Sequence, residues 1–230
     1  MIEQYSKIFN IINPEIFYSM ISRRSLMLIL SSPSGAGKTS IARKLLNNTY
    51  DISISISVTT RSPRPGEVHG LDYFFISLTE FQVMLSRNDL LEHAKVFGNY
   101  YGTPRKAVEG ILASGKDILF DIDWQGAEQL KANIGSDLVS VFILPPSNSE
   151  LKNRLRTRSQ DSKTVLTQRM ANVADDLSHY QKYQYIIIND DIDVSVHNIS
   201  TIISAERLKR ERLVGLTEFV RILSEEKELS

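Results

Sequence analysis

The sequence predicts an α/β fold, a mostly parallel sheet flanked by helices, on three observations. Leu26-Met27-Leu28-Ile29-Leu30 is a continuous apolar run, which suits a strand buried on both faces. Similar runs recur at Ile118-Leu119-Phe120, from Leu138 to Leu144 and from Tyr185 to Ile188. Between them lie segments with helical spacing, at about 38–47, 104–113, 124–132 and 162–181. Strands that alternate with helices build parallel sheets.

Two regions depart from that rhythm. Ile52, Ile54, Ile56 and Val58 alternate with Ser53, Ser55 and Ser57, which predicts a period-two strand with one apolar face. Residues 59–76 are then rich in Pro, Gly and Arg and end in the strand-like Asp72-Tyr73-Phe74-Phe75-Ile76, so a small mixed subdomain is expected here, inserted into the core. The second departure is the polar, basic stretch from Arg154 to Arg169, after the Pro145-Pro146 break. From about residue 193 the chain reads as helical. Ile199, Ile202, Ile203, Leu213, Leu216, Val220 and Leu223 fall at roughly helical intervals, a face that covers the core or forms a dimer contact.

The 230 residues suit one large domain, or one with mobile subdomains. Lys+Arg and Asp+Glu both number 27, so a general nucleic-acid binder, which carries a basic excess, is not expected. There are no cysteines, which excludes disulfides and thiolate zinc and suits a reducing cytoplasm. No stretch approaches the roughly 20 apolar residues that span a bilayer. Residues 1–22 read as an extension: Glu3, Lys7, Asn13, Pro14 and Glu15 interrupt any signal-like apolar run.

Chemistry enters after the first strand, at Ser32-Pro33-Ser34-Gly35-Ala36-Gly37-Lys38-Thr39, followed by Ser40. This is a phosphate-binding loop, with Ser32 where the general motif has its first glycine. Small residues let the backbone curl so that successive N–H groups point at a phosphate, and the helix starting near Lys38 adds its positive end. Lys38 places a charge near the β/γ-phosphates, and the Thr39 hydroxyl can ligate Mg²⁺. Ile118-Leu119-Phe120-Asp121 is an apolar strand ending in a carboxylate, so Asp121 either holds Mg²⁺ through water or caps the following helix.

In the inserted region, Arg61 and Arg64 sit three apart in a segment stiffened by Pro63 and Pro65. Arginine forks match phosphate oxygens, and Tyr73 and Tyr101 could add hydroxyl donors. Alone, the two arginines read better as a solvated basic loop. Leu91-Glu92-His93-Ala94 and Gly98-Asn99-Tyr100-Tyr101-Gly102-Thr103 change that balance. Together with the phosphate loop, the Thr-Thr-Arg-x-Pro-Arg-x-Gly-Glu stretch at 59–67, Asp-Ile-Asp-Trp-Gln-Gly at 121–126 and Asn189-Asp190-Asp191, they make residues 24–207 resemble guanylate kinase of the bacterial type.

The resemblance implies a P-loop nucleoside monophosphate kinase fold and the reaction ATP + GMP → ADP + GDP with Mg²⁺. It implies a guanylate-kinase-like domain over 23–207, with a GMP-binding subdomain at about 57–105, a helical lid at about 148–178 and a helical tail at 208–230. Ser57, Glu92 and Thr103 would face the guanine. Arg61, Arg64, Tyr73 and Tyr101 would hold the GMP phosphate. Asp121 and Asp123 would lie near the metal and the acceptor base. Arg154, Arg158 and Arg169 would belong to the lid, and Asn189 would approach the adenine. The partners expected are the two nucleotides, without nucleic acid or membrane, and a homodimer or higher homo-oligomer is left open. The expected role is guanine nucleotide synthesis and recycling in the cytoplasm.

The chemistry agrees with that assignment. Guanine offers adjacent N–H donors at N1 and N2, and an acceptor-only carboxylate such as Glu92 can take both. Two departures stand out: Ser32, and Thr157-Arg158-Ser159 in the lid where the family usually has Gly-Arg-Gly. Three rivals remain: a kinase of another monophosphate or of a phosphorylated sugar, a non-catalytic interaction module, and a nucleic-acid-binding P-loop protein. His69, His93, His179 and His197 lack metal-ligand spacing, and Trp124 reads as a packing residue.

Overall fold

A computed structural model describes residues 21–49, 51–157 and 163–226. In chain order the first half holds β1 (Ser22–Arg23), β2 (Met27–Ser31), α1 (Lys38–Asn47), β3 (Ile52–Ile54), β4 (Val58–Thr59), β5 (Phe74–Phe75), α2 (Leu78–Ser86), β6 (Leu90–Val96) and β7 (Asn99–Pro104). Then follow α3 (Arg105–Ala113), β8 (Asp117–Asp121), α4 (Trp124–Ile134), β9 (Leu138–Leu144), α5 (Asn148–Thr157), α6 (Lys163–Ser178), β10 (Tyr185–Ile188), α7 (Ile192–Arg207), β11 (Leu213–Val214) and α8 (Leu216–Glu226).

The four apolar runs become the parallel strands of a five-stranded sheet, ordered β10-β9-β2-β8-β3. β2 lies at its centre and every residue of it is buried. The period of two divides its side chains between the faces. Leu28 and Leu30 pack with Ile41 and Leu45 of α1 and with Ile199 and Ile203 of α7. Met27 and Ile29 pack with Val108 of α3 and Leu130 of α4. A strand apolar on both sides needs a helical layer on each.

The alternating run 52–58 is not one strand. Ile52–Ile54 joins the edge of the large sheet beside β8, whereas Val58–Thr59 pairs with β5 and β7 in a four-stranded mixed sheet, ordered β5-β4-β7-β6. The chain crosses between sheets at residues 55–57. There Ser55 and Ser57 are buried while Ile54 and Ile56 are half-buried, the reverse of the burial the alternation predicts. The crossing runs along a cleft that needs polar walls.

The C-terminal stretch is likewise not one helix. α7 ends at Arg207, and residues 213–214 form β11, antiparallel to β1. Gly215, with φ of +87°, turns the chain into α8. Ile199 and Ile203 belong to the core, whereas Val220 and Leu223 of α8 are exposed.

Asp117, fully buried at the foot of β8, ties this end together. Its Oδ1 accepts from Leu26 N at 2.7 Å and Arg23 Nη1 at 2.5 Å, and Arg207 approaches Oδ2 through Nε at 2.8 Å and Nη2 at 2.7 Å. Asp117→Ala leaves the buried Leu26 N–H and the half-buried Arg23 and Arg207 without their acceptor, which costs about 3 kcal/mol. A thermal melt should therefore show the melting temperature falling by roughly 10 °C. Asp117→Asn, which keeps an acceptor for Leu26 N, should lose less; equal losses would exclude the backbone hydrogen bond from the account.

Candidate active site

The phosphate loop leaves the carboxyl end of β2, where parallel sheets gather their ligands. Gly35 and Gly37 have φ of +90° and +102°, and both are also hemmed in. A Cβ on Gly35 would stand 2.9 Å from Leu155 of α5, and one on Gly37 would stand 2.3 Å from Asn189 Nδ2. The helix α1 begins at Lys38 with no side-chain cap, so its first N–H groups remain available to an anion. Lys38 Nζ lies 2.8 Å from Asp121 Oδ1 and donates to Ile122 O at 2.7 Å; Thr39 Oγ1 donates to Asp121 Oδ2 at 3.1 Å. The cap of the following helix is Asp123, which accepts from Gly126 N at 3.0 Å. Asp121 is therefore free of the capping role and bridges the two phosphate-loop side chains.

Lys38 and Arg64 line one cleft, together with Ser32, Pro33, Ser34, Gly35, Gly37, Thr39, Ser57, Tyr73, Glu92, Tyr101, Asp121 and Asp123. A cavity of about 610 Å³ adjoins it and shares Gly35, Gly37, Thr39, Ser57, Arg64, Tyr73 and Asp121, with Ser40 and Arg154 added. That cavity alone has the size of an ordinary small-ligand site.

On the acceptor side Glu92, 3 % exposed, receives the Thr103 hydroxyl on Oε1 at 2.6 Å. Burial pushes its carboxyl up to about 7 against that hydrogen bond, and Asp123 adds to the rise. Arg61 does not line the cleft. It lies against the Tyr73 ring, 5.4 Å from its centroid, and its Nη2 donates to Glu67 Oε1 at 2.8 Å. Glu67 also accepts Arg64 N on Oε2 at 2.8 Å. Although burial opposes it, these hydrogen bonds hold the Glu67 carboxyl below its usual range. Glu67 is thus the brace of the arginine loop. Burial raises the Tyr73 phenol well above its ordinary value, so it stays a donor near neutrality.

Asn189 is buried beneath the phosphate loop. Its Nδ2 donates to Ala36 O at 2.7 Å and its Oδ1 accepts from Ser195 Oγ at 3.0 Å, so both ends of the amide are engaged. Arg154 reaches over from α5: Nη1 donates to Asn189 O at 3.2 Å and approaches Ala36 O at 3.5 Å, steadied by Glu150 at 2.7 Å. Arg158 lies outside the described residues, and Arg169 is placed within α6 by its backbone alone. Of the Thr157-Arg158-Ser159 departure, Thr157 is the last residue of α5.

The sequence reading missed several groups. Asp176 of α6 lines the cleft with Asn172 and Asp175. Burial pushes its carboxyl up to about 6, although the Ser34 backbone N–H donates to it, and Asp123 adds to the rise. The Asp175-Asp176 doublet, just beyond the basic stretch, was the available signal. Ser55 also lines the second cavity, and its buried Oγ has no hydrogen-bond partner among the described residues. Trp124, read as packing, stacks on His179 at 3.6 Å and also walls the cleft.

A parallel α/β core, a lysine-bearing phosphate loop braced by a strand-end carboxylate, and an arginine-lined second half of the same cleft define a P-loop nucleoside monophosphate kinase. The family model of guanylate kinase matches residues 24–206. The guanylate kinase of Paramagnetospirillum magneticum is 56 % identical over 200 residues, covering 87 % of this chain and 94 % of that protein. The guanylate kinase of Rhizobium meliloti is 53 % identical over 209 residues, covering 91 % and 95 %. The crystal structure of guanylate kinase from Anaplasma phagocytophilum superposes with a TM-score of 0.75 at 40 % identity, covering 87 % of this chain and 95 % of that one. The chain belongs to the guanylate kinase family.

Proposed function

We propose that the chain transfers the γ-phosphoryl group of ATP to GMP, giving ADP and GDP, and so serves guanine nucleotide synthesis and recycling in the cytoplasm. The observation that carries this is the single cleft in which Lys38, Arg64 and Glu92 meet. A phosphate-loop lysine, an anion-binding arginine and a buried acceptor for guanine together suit a phosphoryl donor and a guanylate acceptor placed end to end. The transfer needs alignment, charge neutralisation and exclusion of water more than covalent help, so no general base is assigned.

In this reading residues 32–40 cradle the ATP phosphates, and Asn189 acts from below by fixing the Ala36 carbonyl and with it the loop. Arg64, Tyr73 and Tyr101 bind the GMP phosphate. Arg61, which stands behind the cleft against Glu67 and the Tyr73 ring, is assigned to the same phosphate by resemblance. Ser57, Glu92 and Thr103 form the guanine site. Arg154 closes from the lid, with Arg158 and Arg169 assigned beside it by resemblance. Thr39 and Asp121 suit a magnesium ion that keeps most of its waters, since they offer one hydroxyl and one carboxylate beside the phosphates. Bound there, it would supply positive charge against the transferring group.

The test is a panel of nucleoside monophosphates with magnesium and ATP, read as diphosphate formed. GMP should be the acceptor, with kcat/KM for AMP lower by about 10³-fold or more, because adenine leaves the Glu92 acceptor unpaired. Comparable turnover of AMP or of a phosphorylated sugar would sink the proposal.

A further inference from the structure

Glu92 stands between two walls. Thr103 holds Oε1, and Oε2 rests against the backbone of Gly126 in the first turn of α4. A Cβ built on Gly126 would lie 2.3 Å from Glu92 Oε2 and 2.9 Å from its Cδ, whereas Ile122 Cδ1 would be in ordinary contact at 3.5 Å. The backbone does not ask for glycine here, because Gly126 is not among the residues with positive φ. A helix prefers alanine at such a position by about 1 kcal/mol. The missing side chain therefore answers to the Glu92 carboxylate. One turn further along the same face, Gln129 Oε1 accepts from His93 N at 3.0 Å and Gln129 Nε2 donates to His93 O at 2.6 Å. α4 thus grips β6 at the residue next to Glu92.

We propose that Gly126 is a specificity-determining position of the acceptor site. As a positioning residue, it sets how deep the Glu92 carboxylate sits and how it is tilted toward the base, while Gln129 fixes the strand that carries it. The proposal rests on the reading of this chain as a GMP kinase.

The experiment is Gly126→Ala, measured beside Glu92→Ala and the double variant. The methyl group displaces the end of a flexible side chain, so the fold should survive and the melting temperature should hold or rise. KM for GMP should rise about tenfold or more, the size expected when a buried polar contact is spoiled. KM for ATP should stay within about twofold, and the preference for GMP over AMP should shrink in step. In the Glu92→Ala background the same substitution should add nothing, since its target has gone. A GMP KM within about twofold of wild type in the single variant, or the full cost repeated in the Glu92→Ala background, would overturn the proposal. Should the single variant melt early, the double variant must melt together with Glu92→Ala alone, and a further loss in that background overturns it as well. Failure of the parent reading is separate, because then the unmodified enzyme would not use GMP.

Discussion

Lys38→Met should lower kcat by about 10²–10³-fold while leaving the fold and GMP binding in place. Lys38 is 18 % exposed at the side chain, 2.8 Å from Asp121 Oδ1 and 2.7 Å from the Ile122 carbonyl. Those contacts pin the ammonium at the mouth of the phosphate loop before any nucleotide arrives. Charge that develops during transfer then meets a donor already in place, which is where preorganisation has its largest effect. Methionine keeps the length and removes the charge. It also leaves Asp121 beside Thr39 without its cation, but the carboxylate reaches water in the cleft, so the stability cost stays small. The measurement is kcat under saturating substrates, with circular dichroism for the fold and calorimetry for GMP. Turnover within about tenfold of wild type would remove Lys38 from the chemistry. A raised KM for ATP with kcat unchanged would reassign it to uniform binding.

Lys38 was legible because its signal is local. A buried strand, a turn of small residues and a helix start follow one another within residues 26–47, and each can be read from neighbouring side chains alone. The same holds for the strands of the central sheet, whose apolar runs need no partner to be recognised. Legibility fails where meaning depends on topology. The alternation at 52–58 is a true period of two, yet the chain changes sheets midway, and nothing local announces which partner strand takes each half. The hold that Asn189, expected near the adenine, has on Ala36 lies 153 positions away in the chain and leaves no local sign. Asp117 looks like an ordinary residue at the start of a strand until Arg23 and Arg207 are brought to it. Gly126 looks like a weak point in a helix until Glu92 is laid against it. Resemblance to a family supplied roles for residues within its motifs, and it could not supply the braces between motifs.

Glu92→Gln should raise KM for GMP by about 10²–10³-fold and at the same time make the protein more stable above neutral pH. Both effects come from one carboxylate buried almost completely. As an ion, Glu92 accepts from guanine N1–H and N2–H, whereas glutamine presents an amide donor to one of them and leaves a buried pair mismatched. Burial has pushed the carboxyl up to about 7 from an unfolded value of 4.5, against the Thr103 hydrogen bond. Between those two values the folded chain holds a proton that the unfolded chain has released. Glu92 is therefore least costly below about 4.5, and stability drains away as pH rises toward 7, by roughly 3 kcal/mol in all. Glutamine stays neutral and escapes that loss. The variant and the wild type should melt alike near pH 4.5, and the variant should melt later near pH 8. Activity should run the other way. Wild-type kcat/KM for GMP should climb about tenfold per pH unit up to about 7 and then level off, because only the ionised carboxylate accepts both donors. The GMP phosphate titrates near 6 and adds its own slope, which the variant retains while losing the step near 7. A wild-type profile without a break near 7, or a variant no more stable at pH 8, would mean that Glu92 is ionised and satisfied before GMP binds, and the carboxylate would then have no energetic reason to await a guanine.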